Sequence, residues 1–480
     1  MLFTKRKITV LPGDGIGPEV VAAALKVVEA TGVDIEPEIH VAGAEAFAKD
    51  VESGVPRDTI ESIERNKVVL KGPLETPIGY GNRSANVTLR TLFETFGNLR
   101  PVRELPGVHT PFTGRKLDIV IVRENVEDLY TGIEYMQTPG VAEALKVISR
   151  TGCEKIVELA FEFAVAAQRK RVHCATKANI MKLTEGMLQH TFEDFAKKYP
   201  QIESKHILID NCAHQLAMRP EQFDVIVTTN MNGDILSDLT SGLTGGLGFA
   251  PSANIGSEVA IFEAVHGSAP DIAGKNIANP TALILSAAMM LRHIGEGEAA
   301  HNIEQAVLVT LESGVRSGDM PGKAKASSTT EFADAVISNL GKSSGTEGAR
   351  DFRAVKIPAP STEVETVEVE RRKVTGLDVF IESKLLPEQL GEDLTQLCLD
   401  TTFALQMIGN RGNTVWPSDG RRVTLIDQYR CRFMSKNRGD GVGNSEILAL
   451  LTRIGETHTW MHVEKLQQFD GEDAFSRSQR

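Results

Sequence analysis

The sequence predicts an α/β chain assembled from strand, loop and helix units, followed by a small α+β domain. Three observations carry this. Short β-branched apolar runs at 8–11, 68–71 and 225–228 each precede a glycine-rich or polar loop and then a helix-like stretch. At 480 residues the chain exceeds one ordinary domain. Beyond Gly341 the composition turns to KSSGTEGARDFRAVKIPAPSTEVETVEVERRK, poor in large apolar groups and carrying Pro358 and Pro360, which reads as a linker.

The first unit decides against a Rossmann fold. The strand at 8–11 runs into PGDGIGPE and then an apolar-periodic helix at 19–31. A dinucleotide fingerprint needs a glycine where Pro18 stands, so these glycines read as a tight turn, and Pro18 suits the first turn of a helix.

Composition narrows the functional class. A hydrophobic content of 41% fits a globular protein with a sizeable core, and a formal charge of −12 argues against a general nucleic-acid or anionic-membrane surface. No apolar run reaches membrane-spanning length, and the N-terminus enters a strand at once, which predicts a cytoplasmic protein. Cys153, Cys174, Cys212, Cys398 and Cys431 are odd in number and scattered, and read as reduced core thiols.

The central stretch is DVIVTTNMNGDILSDLTSG at 224–242. The run 225–228 predicts a buried strand, 230–233 a turn, and the residues from Ile235 a helix. On that helix Asp234 and Asp238 share a face, with oxygens placed to grip one hard cation. Taken alone, they read more readily as a helix cap followed by a solvated carboxylate, and it is the company they keep elsewhere in the chain that favours a cation. Other polar residues fall at comparable places. After the strand 68–71, GPLETPIGYGNRSANVTLR is a long loop becoming a helix near Asn86, with Asn86 and Arg90 on one face and Ser84 at its lip. NLRPVREL adds Arg100, and DIVIVREN adds Arg123 at a strand end. Arginine's planar fork suits bidentate binding of carboxylates, so three arginines together imply a substrate with several.

From residue 7 to about 340 the sequence resembles the isocitrate/isopropylmalate dehydrogenase family. The stretches GDGIGPE, GPLETP, RSANVTLR, LRPVR, RENVEDLY, ATKANIMK, NMNGDILSD, GFAPSANIG and HGSAPDIAGKN carry the likeness. The long C-terminus resembles that of bacterial isocitrate dehydrogenases with an added domain. The resemblance implies an isocitrate/isopropylmalate dehydrogenase-like two-domain α/β fold. Its large domain would comprise 1–96 and 247–340, its small domain 97–246 with a dimer clasp near 129–150, then a linker at 341–373 and an α+β domain at 374–480.

The resemblance also implies a site. Arg90, Arg100 and Arg123 would hold the α- and β-carboxylates, while Ser84 and Asn86 would contact the substituent on C3. These small polar groups suit isocitrate's γ-carboxylate better than an isopropyl group. Arg83 leaves homoisocitrate open, and tartrate or isopropylmalate enzymes or a regulatory subunit are the remaining alternatives. Asp210, which ILIDNCAHQL places at the end of another strand, would join Asp234 and Asp238 in ligating Mg²⁺ or Mn²⁺, with one aspartate arriving across a homodimer interface. Lys177 and Tyr130 would be the proton-transfer pair. Leu74, Thr76, Glu263, His266, Gly267, Ala269, Asp271, Ile272 and Asn279 would line the cofactor site. Asp271 and Ile272 stand where NADP-using relatives typically present lysine and tyrosine, which predicts NAD. The expected activity is NAD-dependent oxidative decarboxylation of isocitrate to 2-oxoglutarate and CO₂.

In the tail, strand-like GLDVFIES, helix-like PEQLGEDLTQLCL, strands around FALQMIG, NTVWP and YRCRFMS, helix-like SEILALLTRIGE and strand-like THTWMHVEKLQQF predict a ferredoxin-like or ACT-like sandwich. Its expected role is subunit assembly, admitting an oligomer above the dimer, rather than effector binding.

Overall fold

In the computed structural model the described residues are 6–75, 84–320, 325–345, 355–360, 363–437, 439 and 441–477. They divide into two compact units, the second made of 132–145 and the chain from 363 onward.

The first unit is organised by one ten-stranded sheet. In chain order its strands are β1 (Arg6–Leu11), β2 (Ile35–Ile39), β3 (Val68–Lys71), β4 (Gly97–Arg103) and β5 (Asp118–Glu124). After the hairpin β6 (Glu134–Thr138) and β7 (Val141–Ala144) come β8 (Arg171–Thr176), β9 (Glu203–Leu208), β10 (Val225–Thr228), β11 (Pro251–Ile255) and β12 (Ala260–Ala264). The spatial order is β2-β1-β3-β12-β11-β4-β5-β10-β8-β9. Both flanks are parallel, and the centre, from β12 through β11 and β4 to β5, is antiparallel. Parallel strands with helices on both faces are buried on both sides, which is why 8–11, 68–70 and 225–228 consist of apolar and β-branched residues without polar alternation.

The glycine-rich turn is a packing knot. Gly13 and Gly15 have φ of +74° and +58°, and a Cβ on them would come within 2.2 Å of the Pro73 carbonyl oxygen and 2.0 Å of that of Ser268. Only glycine lets the 12–17, 72–75 and 265–268 loops meet this closely. The Asp14 carboxylate ties the knot by accepting from the Ala44 and Glu75 backbone N–H groups. The following helix runs Gly17–Ala30, with Pro18 in its first turn.

Two local expectations need correction. Residues 230–233 are not a turn, because the helix Asn230–Thr244 already starts at Asn230 after Thr229. Gly233 is there for space, since a Cβ would lie 2.6 Å from Cγ of Arg123. Asp210 does not end a strand either, because β9 stops at Leu208 and Asp210 lies in the first turn of the helix Ile209–Met218.

The second unit has the predicted order of elements. Its strands are β13 (Arg372–Glu382), β14 (Phe403–Asn410), β15 (Asn413–Trp416), β16 (Gln428–Ser435), β17 (Thr459–Phe469) and β18 (Glu472–Asp473), with helices Pro387–Leu397 and Asn444–Gly455 between them. The order β15-β14-β16-β13-β17-β18 contains β14-β16-β13-β17, the ferredoxin-like β-α-β-β-α-β arrangement. The β6–β7 hairpin belongs to this unit. Thr138 donates to the Asp427 carboxylate at 2.9 Å, and the Gln428 amide donates to Glu143 at 2.6 Å. All five cysteines are free and buried, and among the described residues no helix is long and apolar enough to cross a membrane.

Arg432 is buried in this sheet and grips Asp378 with both arms of its fork, at 2.7 Å each. Asp378→Ala leaves a buried guanidinium without its counter-charge and should cost about 3–5 kcal/mol. Removing both charges at once, as Asp378→Leu with Arg432→Met, should recover most of the loss. The only tryptophans, Trp416 and Trp460, lie in this unit, so fluorescence-detected urea unfolding measures it directly.

Candidate functional site

The antiparallel centre carries a buried polar band on one face. Register places Glu263 opposite both Lys71 and Ser252, Asn254 opposite Asn98, and Asn98 opposite Arg123. Because side chains alternate along a strand, Asn98 shares its face with Arg100, and Ser252 shares its face with Asn254. The band is wired throughout. Asn98 donates to Ser252 at 2.7 Å and to Asn254 at 2.9 Å, Asn254 donates to Glu263 at 2.7 Å, and Arg100 Nε donates to Asn98 at 2.6 Å.

Lys71 anchors one end. It is 2% exposed, pairs with Glu263 at 2.5 Å, and donates to the Gly72 carbonyl and to Asn86 Oδ1. Glu263 also takes Arg90 at 3.2 Å. Burial alone would raise the Glu263 carboxyl, but Lys71 and Arg90 outweigh it and hold it far below the usual carboxylate range. Sequence patterning missed Lys71. Its signal is a lysine closing a strand buried on both faces, where an unpaired charge is seldom tolerated.

At the other end the guanidinium groups meet the helix Asn230–Thr244. Arg123 donates from Nε and Nη2 to Asn230 Oδ1 and from Nη1 to Asp234. Arg100 Nη1 donates to Ser237 at 2.6 Å and to Asp234 at 3.2 Å, and lies 3.8 Å from Asp238. The Tyr130 hydroxyl donates to Asp234 Oδ2 at 2.6 Å, with Arg123 5.0 Å from its ring. Burial, then the neighbouring Arg100 and Arg90, push Arg123 down to about 9. Against the burial that would raise it, Arg123 and Arg100 pull Asp234 below its ordinary value. Burial raises Asp238. Burial and the Asp234 contact raise Tyr130, so its proton is kept at neutral pH.

The structure therefore gathers Arg90, Arg100, Arg123, Tyr130, Asp234 and Asp238. Ser84 precedes the helix Ala85–Leu92 that carries Asn86 and Arg90, and Asn86 is held by Lys71 and donates to the Leu74 carbonyl. Lys177 and Asp210 form a separate pair at 3.1 Å. Among the described residues no three potential metal-ligating side chains come together. Asp234 and Asp238 offer adjacent carboxylates of the hard-oxygen type that suits Mg²⁺ or Mn²⁺, so the donor chemistry fits such an ion, and one chain supplies two ligands of the expected three.

The expected cofactor residues fall into two groups. Leu74, Glu263 and Asn279 are buried, with Asn279 donating to Asp319 and accepting from Thr281. His266, Gly267, Ala269, Asp271 and Ile272 lie along the loop that meets the glycine-rich turn. His266 Nδ1 is 3.0 Å from the Gly267 carbonyl, while its buried Nε2 has no partner among the described residues, a polar atom that fits an external ligand at this loop. Thr76 and Arg83 lie outside the described residues.

Forked cations, a tyrosine and paired aspartates meet around a buried polar band, a set of groups whose chemistry suits an anionic ligand and a hard cation. The chain belongs to the isocitrate/isopropylmalate dehydrogenase family, whose signature matches residues 7–336, and the C-terminal domain of bacterial isocitrate dehydrogenases matches 372–480. It is 58% identical to an NADP isocitrate dehydrogenase of Thermus thermophilus, covering 99% of this chain and 96% of the relative. It is 41% identical to one of Rickettsia conorii, covering 98% of each. A solved Thermus thermophilus structure superposes with a TM-score of 0.96 at 57% identity, covering 100% of this chain and 97% of the other.

These relatives overturn the NAD expectation, since both curated enzymes are named for NADP. The inference from Asp271 gave too much weight to one charge. Asp271 is exposed, and Lys275 one turn later donates from Nζ to the Asp271 carbonyl, placing a cation beside it. An exposed carboxylate in high dielectric with an ammonium close by repels a phosphate only weakly.

Glu124, beside Arg123, shapes the turn leading to Tyr130 by accepting from the Val126 and Glu127 N–H groups. Burial pushes its carboxyl up from 4.5 to about 7. Because the folded value is raised, the stability it contributes is full below pH 4.5 and is lost as pH rises through about 7. Glu124→Gln should remove a pH-dependent loss of about 3 kcal/mol across that window, which urea denaturation at pH 5 and 8 measures.

Proposed function

We propose that the protein catalyses oxidative decarboxylation of isocitrate to 2-oxoglutarate and CO₂, with NADP as hydride acceptor and Mg²⁺ or Mn²⁺ bound. The observation that carries this reading is the convergence of Arg90, Arg100 and Arg123 on one another and on Asp234, Asp238 and Glu263, with Lys71 behind them. Arg100 and Arg90 each work against the charge on Arg123, and a polycarboxylate substrate would relieve that repulsion.

Each role follows from chemistry at a named atom. The arginine forks bind and orient carboxylates. Asn86, with Oδ1 held by Lys71 and one Nδ2 hydrogen on the Leu74 carbonyl, has its second Nδ2 hydrogen for a third carboxylate, which an isopropyl group could not accept. Lys177, as the neutral amine, accepts the proton of the C2 hydroxyl as hydride leaves, and the Tyr130 hydroxyl, its proton retained at neutral pH, protonates C3 after CO₂ departs. The divalent cation, when bound, polarises the hydroxyl and stabilises the negative charge left by decarboxylation. Lys177 and Asp210 stand apart from the arginine set, which supports a homodimer in which a second copy completes each site.

Steady-state assays on isocitrate, homoisocitrate, isopropylmalate and tartrate, each with Mg²⁺ and either NADP or NAD, test the reading. Isocitrate with NADP should lead by roughly a hundredfold in kcat/KM, and a preference for another acid would contradict it. Chelation should abolish turnover, and Asp234→Asn should lower kcat roughly a hundredfold or more with the fold intact. Parent-like activity of that variant at limiting Mg²⁺ would remove Asp234 from the ligand set.

A further inference from the structure

Beneath the proposed site lies a second ion cluster. Asp128 and Glu185 both have fully buried side chains, and one cation, Lys146 Nζ, pairs with Asp128 and with Glu185 Oε1, the latter at 2.9 Å. Two buried carboxylates on a single ammonium are costly to assemble and are held only where their remaining lone pairs are used. Here they are used on the segments that carry the proton-transfer groups.

Glu185 Oε2 accepts the backbone N–H of Lys177 at 2.9 Å and the Asn232 amide at 3.2 Å, while Oε1 accepts from Thr229 at 3.0 Å. Asp128 Oδ2 accepts the Met231 N–H at 3.0 Å. Asp128 Oδ1 takes the N–H of Leu129, and its carbonyl takes the Thr131 hydroxyl, bracketing Tyr130. Asp128 has φ of +67°, a conformation non-glycine residues seldom adopt, and its N–H is fixed on the Val147 carbonyl. The Tyr130 segment, the Lys177 segment and the first turn of the helix bearing Asp234 thus meet at one buried ammonium.

We propose that Asp128, Lys146 and Glu185 are positioning residues that hold Tyr130 and Lys177 in register with the N-terminus of the Asp234 helix. This rests on the proton-transfer roles proposed above and extends them. Among the described residues no polar contact joins the three to Arg90, Arg100 or Arg123, so substrate affinity and turnover should separate. If each site is completed by a second copy, the cluster also joins the Tyr130 end of one site to the Lys177 end of the other, since both ends lie on one chain.

The test compares Glu185→Gln, Lys146→Met, Lys146→Arg and the charge-balanced double change Lys146→Met with Glu185→Gln. Glu185→Gln leaves Asp128 paired with Lys146, so it should fold. Its amide can accept on one side only, leaving either the Lys177 and Asn232 donors or the Thr229 and Lys146 donors opposed. The expected result is a fall in kcat of roughly tenfold or more with KM for isocitrate within about threefold, because small misplacements of a reacting group lower turnover more than binding. Lys146→Arg should recover most of what Lys146→Met loses. Amide exchange at Lys177 and Met231 should accelerate together in Glu185→Gln and in the double variant. A folded Glu185→Gln or double variant with parental kcat, a change confined to KM, or exchange that quickens at one segment alone would overturn the proposal. If the parent fails on isocitrate, the functional reading falls, and the exchange readout still decides whether the cluster joins the two segments.

Discussion

The buried polar band across the antiparallel centre of the large sheet is the constraint on which the rest depends. Charged and amide side chains in a sheet interior are tolerated only when each finds a partner. From Lys71 through Glu263, Asn254 and Asn98 to Arg100 each does. That wiring fixes β3, β12, β11 and β4 in one register, and the register in turn sets where Arg100 and Arg123 point. Gly233 completes the arrangement by letting a helix backbone close over the Arg123 side chain.

The band also explains how so much positive charge is held away from water. Arg100 is depressed first by burial, with Asp234 opposing and Arg90 adding to the effect. Lys71 is depressed by burial and sustained by Glu263. Such a cluster is unfavourable in isolation, and the proposed polycarboxylate substrate would relieve the repulsion between the arginines on binding. Asp234 sits at the boundary, serving in this structure as acceptor for Arg123, Arg100 and Tyr130.

Local features were legible in the sequence because they depend on neighbours along the chain. Arg123 at a strand end, Asp234 and Asp238 on one helix face, and the order of strands and helices in the C-terminal unit all follow from periodicity. Features that depend on pairing between distant strands were not. Asn98 and Asn254 face each other 156 positions apart, and nothing local marks either as part of a buried network. Lys71 carried a local signal, a lysine closing a buried strand, but its partner Glu263 lies on a strand far along the chain. The 230–233 segment misled because glycine and asparagine signal turns, whereas here Gly233 answers a tertiary contact with Arg123. The grouping of the β6–β7 hairpin with the C-terminal unit rests on Thr138, Glu143 and their partners near residue 428, again beyond local reach. Cofactor choice failed differently, because Asp271 was weighed without Lys275 beside it.

Separation of Lys177 and Asp210 from Asp234 within one chain gives the proposed chemistry its most direct test. Lys177→Met and Asp234→Asn should each be inactive alone, yet in a mixed dimer one site would combine an intact Asp234 from one copy with an intact Lys177 from the other. Unfolding and refolding the two variants together in equal amounts should therefore restore roughly a quarter of parental isocitrate turnover, as random pairing in a symmetric dimer requires. A mixture as inactive as its components, with mixed dimers shown to form, would contradict the shared site and the division of roles built on it.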